Sequence, residues 1–398
     1  MLDVLKIQRL GAVEVNMADS SKTCQKDQQV WVLQFCHGYD GPFLDCARQY
    51  AVLFKNSPYK VCTVYLTGSP DAQVAEASAS DEVIFMGFKS SQLRGLKLGA
   101  IKEFRKIVRS RAFSFCIAHR FKPTYIALLS SELPVIGIQH AFDGYKRISR
   151  KLIANLFNRR LCLLGVSDAV RDNMREHLSS WPEDSIQTLY NRIDIASLQR
   201  TQLSKADSRA ELDLPNDAWI IGNVGRLHPD KDQQTLIRGF AKACVHLPEN
   251  ARLAILGTGR LEPELRALAL NLGVVDRVLF LGQVPQARRY FKAFDVFALT
   301  SDREPFGMVL LEAMAAGVVV ICSDCGGGRE VIQGNGILFD FADADGLAQR
   351  LVECAKTTPN EQVAMLESAY KRLEQDFCDD VAHRVFFDNL AVFKRKWS

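Results

Sequence analysis

The chain has 398 residues, 47% of them hydrophobic and 24% charged, a composition typical of a globular protein with two domains of ordinary size. No run of about 18 or more apolar residues occurs, so no transmembrane helix is predicted, and the first residues lack the regions of a signal peptide. The net charge of +4 is uneven, since residues 1–200 hold 27 Lys or Arg and 19 Asp or Glu. We expect this basic half to face an anionic partner.

Eleven cysteines, an odd number, lie mostly inside apolar segments. This pattern predicts reduced thiols in a cytoplasmic protein rather than a disulfide framework. A CxxC pair at 322–325 has no further ligand nearby and is followed by three glycines, so zinc is not expected there.

Residues 1–27 precede the first convincing strand and are interpreted as an N-terminal extension, either disordered or an added start. Apolar, β-branched runs then alternate with amphipathic segments. Nearly continuous apolar strands joined by helices indicate a parallel sheet covered on both faces. The strands predicted in the first half are 30–36, 60–66, 82–88, 113–119, 134–140 and 161–167, and the helices include 42–56, 92–112 and 147–160.

The pattern breaks at 201–217, a polar stretch that is interpreted as a linker. The strands predicted after it are 219–225, 252–257, 278–282, 296–301, 318–323 and 336–340. The predicted fold is α/β, with two facing Rossmann-like domains, each a doubly wound parallel sheet, and a ligand cleft between them. The predicted boundaries are 28–200 and 218–376, with an amphipathic helix at 377–398.

The segment NVGRLHPDKD, 223–232, holds candidate phosphate ligands. Gly225 allows a sharp turn, and Arg226 and Lys231 lie at the strand end and near the next helix. A guanidinium fork and a lysine point charge suit a diphosphate. A strand-to-helix turn with solvated charges would give the same pattern. A second glycine turn, at 256–265, is not a dinucleotide-binding motif and is weak alone.

The segment EPFGMVLLEAMAAG, 304–317, places two carboxylates eight positions apart. Glu304 precedes a proline and is expected in a loop. Pro305 suits the start of a helix, and Gly307 lets a ligand approach the backbone. The free N–H groups at this helix start would bind an anion. Glu312, in an apolar helix, is expected to bond sugar or ribose hydroxyls. A first-turn charge for Glu304 and a buried ion pair for Glu312 explain the pattern equally well.

Taken in order, GRLHPDKD, LGTGR, VLFLGQV, EPFGMVLLEAMAAG and SDCGGGREVI strongly resemble the nucleotide-sugar domain of retaining glycosyltransferases of family 4, which have the GT-B fold. The resemblance covers 30 to about 395 and is most specific over 219–340. It is shared with bacterial transferases of lipopolysaccharide core and other cell-surface glycans. It implies an acceptor-binding first domain, a donor-binding second domain, and a last helix that crosses back to the first.

The same resemblance implies roles for individual residues. Arg226 and Lys231 would neutralise the donor diphosphate in place of a metal ion, Glu304 would hold sugar hydroxyls and Glu312 the ribose hydroxyls. The other donor contacts implied are Gly38, Gly41, Gly225, Gly257, Arg260, Val284, Phe306, Gly307, Met308 and Val309. Neither a metal nor a cofactor is expected beyond the nucleotide-sugar co-substrate, with UDP expected over GDP.

The first half departs from the family, because its usual glycine pair is replaced by Gly38 and Gly41, separated by two residues. His119 and His140 each end a predicted strand, where a structural role is the commoner one. The resemblance places His140 at the reacting centre with Glu304, Arg226 and Lys231, and places His119 and Asn191 on the acceptor side. Asp194 is expected to cap a helix.

Retention with one leaving diphosphate and no positioned nucleophile favours front-face substitution, in which the protein stabilises the leaving group. A two-carboxylate hydrolase explains neither the cations nor the twin sheets. A nucleotide-sugar epimerase of similar fold and an inactive scaffold subunit are the alternatives.

Two basic stretches, 89–111 and 144–160, are either solvated helix faces or a surface for an anionic membrane or a phosphorylated acceptor. We expect a glycan or lipid-linked acceptor, lipopolysaccharide core foremost, and a location in the cytoplasm or at the inner face of the inner membrane. Nucleic acid is not expected, because no aromatic stacking platforms alternate with the basic residues.

Overall fold

The computed structural model describes residues 9–11 and 29–398. These residues form two compact units, the first built from the chain up to Leu189 together with Ala382–Ser398, and the second from Tyr190–Val381. The stretch 201–217, interpreted as a linker, belongs to the second unit and contains a helix at Lys205–Glu211.

The first unit is built on one sheet. Its strands are β1 (Arg9–Gly11), β2 (Val30–Cys36), β3 (Tyr59–Tyr65), β4 (Glu82–Phe85), β5 (Phe113–His119), β6 (Val135–Gln139), β7 (Leu161–Gly165) and β8 (Ile186–Thr188). The order is β1-β4-β3-β2-β5-β6-β7-β8, with β2 to β8 parallel and β1 antiparallel to β4. Because the chain starts at β2 and works outwards in both directions, helices cover both faces.

The helices of the first unit follow the hydrophobic pattern. They are α1 (Phe43–Val52), α2 (Ala72–Ala77), α3 (Leu98–Arg109), α4 (Phe121–Ser130), α5 (Ile148–Leu156) and α6 (Asp168–His177). In α3, Ala100, Ile101, Phe104 and Ile107 are buried at helical spacing, and the cations between them face solvent. The apolar stripe of this basic helix is therefore core.

The second unit repeats the plan with six parallel strands: β9 (Ile220–Val224), β10 (Arg252–Leu256), β11 (Val278–Gly282), β12 (Val296–Leu299), β13 (Val319–Ser323) and β14 (Ile337–Phe339). Their order is β11-β10-β9-β12-β13-β14, which reverses between β9 and β12. In doubly wound sheets the ligand crevice opens at this reversal, outside the carboxyl ends of the strands.

The helices of the second unit are α7 (Ile195–Thr201), α8 (Lys205–Glu211), α9 (Gln233–Ala243), α10 (Glu262–Asn271), α11 (Met308–Ala315), α12 (Gly326–Ile332), α13 (Ala344–Lys356) and α14 (Pro359–Asp376). The last helix, α15 (Asp379–Trp397), begins in the second unit and continues in the first. Asp194 caps α7 as predicted, since its carboxylate accepts from Ser197 N at 2.9 Å.

The predicted α/β class with two doubly wound parallel sheets is confirmed. All twelve predicted strands are present, and each begins within one residue of its predicted start. Strands β1 and β8 are not predicted, because three residues are too few for a periodic signal. Strand β1 lies within the predicted extension, and the rest of 1–27 is outside the described residues. Among the described helices, none is long and apolar enough to cross a membrane.

Candidate functional site

Three loops join through their backbones at the carboxyl edge of the second sheet. Gly225 N donates to Leu256 O at 2.9 Å, and Gly257 N donates to Gly282 O at 2.7 Å. Gly257 has a φ of +140°, and a Cβ there would lie 1.9 Å from Gly225 O. Only glycine can be accommodated at so short a distance. The turn at 256–265, whose sequence was weak evidence by itself, is therefore a fixed part of this edge.

Lys231 and Glu304 meet at this edge as an ion pair. Lys231 ends a short 3₁₀ turn after β9, and its Nζ lies 2.6 Å from Glu304 Oε2. Ser301 Oγ donates to the same oxygen at 3.1 Å, and Glu304 is only 7% exposed. Thr300 Oγ1 donates to the carbonyls of Lys231 and Asp232 at 2.9 and 3.0 Å. The pair is therefore fixed from both the β9 and the β12 side.

Arg226, the other predicted cation, is held differently. Its side chain is 72% exposed, and it forms an ion pair with Asp230 at 3.4 Å. A lysine fixed in a buried pair and an arginine standing in solvent thus flank the same loop. Both are close to where they were expected, whereas the contact between Lys231 and Glu304 was not predicted.

The glycine run after β13 explains how Glu304 is positioned. Gly327 N donates to Glu304 O at 2.8 Å, and a Cβ on Gly327 would lie 2.4 Å from Pro305 O. The first turn of α12 therefore packs against the Glu304 loop backbone. Three consecutive glycines were the signal for this contact, and with Thr300 and Ser301 they form the support that sequence reasoning missed.

Helix α11 differs from expectation in two respects. It begins at Met308, with Gly307 at φ +100° as its N-cap, so Pro305 lies before the helix rather than at its start. Glu304 is the buried carboxylate and Glu312 is only half-buried, because α11 turns Leu310 and Leu311 to the core instead. The first amides of α11 have no intrahelical acceptor and no side-chain cap, which leaves an anion-binding end.

The remaining predicted donor contacts are spread around this edge. Arg260 is exposed and Val284 half-buried, in the loops after β10 and β11. Phe306 is 2% exposed and packs against the rings of Tyr190 and Phe377, so its side chain is core. Asn191, expected on the acceptor side, is buried in the second unit.

In the first unit, the loop with Gly38 and Gly41 follows β2. Gly38 packs against Thr67, whose Oγ1 donates to His37 O at 2.7 Å and would lie 2.7 Å from a Cβ at Gly38. Gly41 adopts a φ of +58°. The two separated glycines therefore serve a close contact and a left-handed turn respectively.

His119 and His140 lie in contact at the ends of neighbouring strands. His119 Nδ1 is 3.1 Å from His140 Nε2, and the rings stack at 5.3 Å between centroids. Burial and the neighbouring His140 hold the pKa of His119 well below its usual value. Burial, assisted by Arg120, lowers the pKa of His140 to about 4. Both rings are therefore neutral at pH 7, and one donates to the other.

His140 has its second nitrogen engaged as well, since Nδ1 lies 3.9 Å from Cys46 Sγ. It can donate to a substrate only if one of these contacts is exchanged. Among the described residues, no group of three or more His, Cys, Asp or Glu side chains lies close enough to hold a metal ion.

A doubly wound sheet with glycine loops and cations at its carboxyl edge is the arrangement typical of one class, the α/β proteins that bind nucleotides. Within that class, residues 204–372 match the family described as Glycosyl transferases group 1. This segment contains the Lys231–Glu304 pair, Arg226, Gly257 and the glycine run after β13.

Two curated relatives are transferases. The lipopolysaccharide core biosynthesis glycosyltransferase LpsE of Rhizobium meliloti is 32% identical over 188 residues, which cover 47% of this chain and 54% of LpsE. A Campylobacter jejuni enzyme, N-acetylgalactosamine-N,N'-diacetylbacillosaminyl-diphospho-undecaprenol 4-alpha-N-acetylgalactosaminyltransferase, is 26% identical over 275 residues, which cover 65% of this chain and 72% of that enzyme. In three of the curated relatives, LpsE included, the matched part is about half of the relative's length, 44% to 55%.

The same fold is found in solved structures. HepE from Anabaena, crystallised with UDP and glucose, superposes with a TM-score of 0.73 over 90% of this chain and 99% of HepE, at 20% sequence identity. At this identity the likeness establishes the fold.

Proposed function

We propose that the chain is a retaining, metal-independent hexosyltransferase. It moves a sugar from a nucleotide-sugar, UDP-linked in preference to GDP-linked, to a hydroxyl of a cell-surface glycan or lipid-linked acceptor in lipopolysaccharide core biosynthesis. The observation that carries this proposal is the Lys231–Glu304 pair at the carboxyl edge of the family-matched segment. The names of LpsE and the Campylobacter enzyme support the acceptor class, and the UDP bound to HepE supports the donor.

The carboxylate of Glu304 has an oxygen to offer the donor sugar. Lys231 and Ser301 both bind Oε2, so Oε1 is the oxygen that accepts from a sugar hydroxyl. An ammonium group has three N–H donors, and Lys231 spends one on Glu304. The others are available to a phosphate, so that one residue pair holds the sugar and the leaving group at a fixed spacing.

The positive charges of Lys231 and Arg226 stabilise the diphosphate as it leaves. The exposed Arg226 guanidinium exchanges its long contact with Asp230 for a bidentate contact with phosphate. The first amides of α11 add the positive end of a helix dipole, and Glu312 holds the ribose hydroxyls. The donor contacts at Gly257, Arg260 and Val284 complete this arrangement in the second unit.

Front-face substitution needs no protein nucleophile. The bond from the acceptor oxygen to the anomeric carbon forms on the side where the bond to the diphosphate breaks, and a phosphate oxygen takes the hydroxyl proton. Preorganised positive charge stabilises the diphosphate as charge develops on it. His140, with His119 behind it, contacts the transferred sugar as a neutral ring.

A donor panel tests this function. The protein is incubated with UDP- and GDP-sugars and lipopolysaccharide core, and mass spectrometry follows nucleotide release and sugar transfer. We expect α-retained product from a UDP-sugar, with the same rate in EDTA. Absence of nucleotide binding and release with every donor would refute a transferase. An epimerised donor without transfer would favour the epimerase, and activity lost in EDTA and restored by Mg²⁺ or Mn²⁺ would refute metal independence.

The first unit also supplies a surface for peripheral membrane association. The cations of 89–111 and 144–160 surround exposed apolar side chains, namely Leu96, Leu98, Ile148, Leu152 and Leu156, which are 64% to 75% exposed. Apolar residues rimmed by cations suit an anionic leaflet. Leu152→Ser should reduce co-sedimentation with phosphatidylglycerol vesicles, and Val245→Ser, which removes an 80% exposed apolar residue of the second unit, should not. Equal sedimentation of the two variants would contradict this surface.

A further inference from the structure

A cavity of about 290 Å³ lies at the carboxyl edge of the first unit's sheet. It is enclosed by the segments that follow β2, β5 and β6 and by the start of α5. Its polar and charged lining includes His37, Arg120, Lys122, Gln139, His140 and Arg150. Apart from His140, none of them was singled out from the sequence.

The cavity is lined by three positively charged side chains. Among the described residues, Arg120, Lys122 and Arg150 make no ion pair with a carboxylate. Arg120 instead lies 4.5 Å over the ring of Phe43, and Arg150 lies 4.9 Å over that of Phe121. Arg120 and Arg150 are held by aromatic faces rather than carboxylates and, with Lys122, keep their charge for a ligand.

Neighbouring groups respond to that charge. Burial, together with Lys122 and Arg120, lowers the pKa of His37 to about 4, although Asp40 acts in the opposite direction. Burial, Lys97 and Arg120 lower the pKa of Lys122. Like charges that crowd one another in this way are stabilised when an anion binds.

Arg120 occupies an unfavourable backbone conformation, with φ +71° and ψ +165°. This region is essentially reserved for glycine. Two hydrogen bonds hold Arg120 in this conformation. Arg120 N donates to Ile138 O at 2.8 Å, and Thr124 Oγ1 donates to Arg120 O at 2.9 Å. Arg120 directly precedes the start of α4, which has no side-chain cap. The arginine charge and the positive end of the α4 dipole therefore lie at the same end of the sheet.

Two buried polar atoms at the cavity have no partner among the described residues. They are His37 Nδ1 and Gln139 Nε2, and Gln139 is only 4% exposed. A buried amide N–H without an acceptor is costly, and an oxygen of a bound anion would satisfy it.

We infer that this cavity binds a phosphate or diphosphate group carried by the acceptor. The inference rests on the proposed function, since it names the acceptor's chemistry. Two arginines offer bidentate forks, and with Lys122 they match the charge of a phosphate better than that of a carboxylate. A groove of about 540 Å³ shares Phe121, Lys122 and Arg150 with the cavity and continues past Leu96 and Leu152. An apolar group attached to the phosphate would lie in that groove.

Calorimetry on the full chain tests the site without turnover. Inorganic pyrophosphate and farnesyl diphosphate are each titrated into protein saturated with UDP, so that the donor cations are already occupied. We expect one equivalent of pyrophosphate to bind, and Lys122→Gln and Arg150→Gln each to weaken it about tenfold, the effect of losing a charged hydrogen bond. Lys146→Gln, which removes an exposed cation of the same stretch outside the cavity, should leave binding unchanged.

The two probes separate the sources of the phosphate. Tighter binding of farnesyl diphosphate that is lost in Lys122→Gln supports a lipid-linked diphosphate, and equal binding of both probes supports a phosphate on a soluble glycan. No pyrophosphate binding, binding abolished by UDP, or binding unchanged in both variants would overturn the inference. Failure of UDP itself to bind would instead refute the proposed function.

Discussion

The two units share a strand order but differ in the charge at their carboxyl edges. In the second unit two cations of the edge have a carboxylate partner, Lys231 with Glu304 and Arg226 with Asp230. In the first unit Arg120, Lys122 and Arg150 pair with no carboxylate among the described residues. The edge of the second unit is therefore organised before a ligand binds, whereas the edge of the first unit keeps charge that a bound anion would neutralise.

The largest effect should follow from breaking the organised pair. Glu304→Gln keeps the shape but removes the charge that fixes Lys231, so both the sugar and the diphosphate lose their alignment. We expect kcat/KM for sugar transfer to fall by about 10³. Steady-state nucleotide release measures this fall.

Glu249→Gln, a change of the same chemistry at an exposed site of the second unit, is the control and should keep near-normal activity. Circular dichroism should show that Glu304→Gln remains folded. Normal transfer by the folded Glu304 variant would mean that the Lys231–Glu304 pair is structural only.

A smaller effect is expected where the support of Glu304 is disturbed. Gly327→Ala places a Cβ 2.4 Å from Pro305 O, so the α12 start or the Glu304 loop must shift. We expect a loss of about 1–3 kcal/mol in unfolding free energy, measured by urea titration. Gly99→Ala, whose Cβ meets nothing closer than 3.6 Å within a helix, should not destabilise. Equal unfolding free energies for Gly327→Ala and Gly99→Ala would contradict the close packing of α12 against the Glu304 loop.

The first edge should make stability depend on pH. The pKa values of His37 and His140 are lowered to about 4, and that of His119 lies well below its usual value. In the unfolded chain histidines titrate near about 6.5. Between these pH values the unfolded chain binds protons that the folded chain excludes, so unfolding free energy falls as pH drops from about 6.5 towards 4.

Denaturant titrations at several pH values measure this dependence. His140→Asn should make it shallower, and replacement of the exposed His246 by asparagine should not. If the unfolding free energy changed with pH equally in His140→Asn and in the wild type, the neutral state of the buried His119–His140 pair would be contradicted.

The sequence predicts the fold well because the signals are local and repeated. Every long strand is an apolar run with glycine or a polar residue at its end or within the next two residues, and Gly225, Arg226, Lys231 and Glu304 lie in compact segments. Burial depends on neighbours instead, which is why Glu304 rather than Glu312 is the buried carboxylate. The pair of Lys231 with Glu304 joins residues 73 positions apart and could not be read from spacing.

The first edge is less predictable for the same reason. Its cavity gathers His37, Arg120, Lys122 and Arg150 from three separate segments, and no short motif contains more than two of them. The available signal was the basic stretch 144–160, which contains Arg150 and was interpreted as either a solvated helix face or a surface for an anionic membrane or a phosphorylated acceptor. Arg120 and Lys122 lie outside both basic stretches.

Calorimetric titration of UDP into the wild type and three variants tests the central claim most directly. We expect Arg226→Gln and Glu312→Gln, in the second unit, each to weaken the affinity for UDP about tenfold. Lys122→Gln, in the first unit, should leave that affinity unchanged. Failure of the wild type to bind UDP, or weakening by Lys122→Gln as large as that by Arg226→Gln, would contradict the assignment of donor and acceptor chemistry to the two edges.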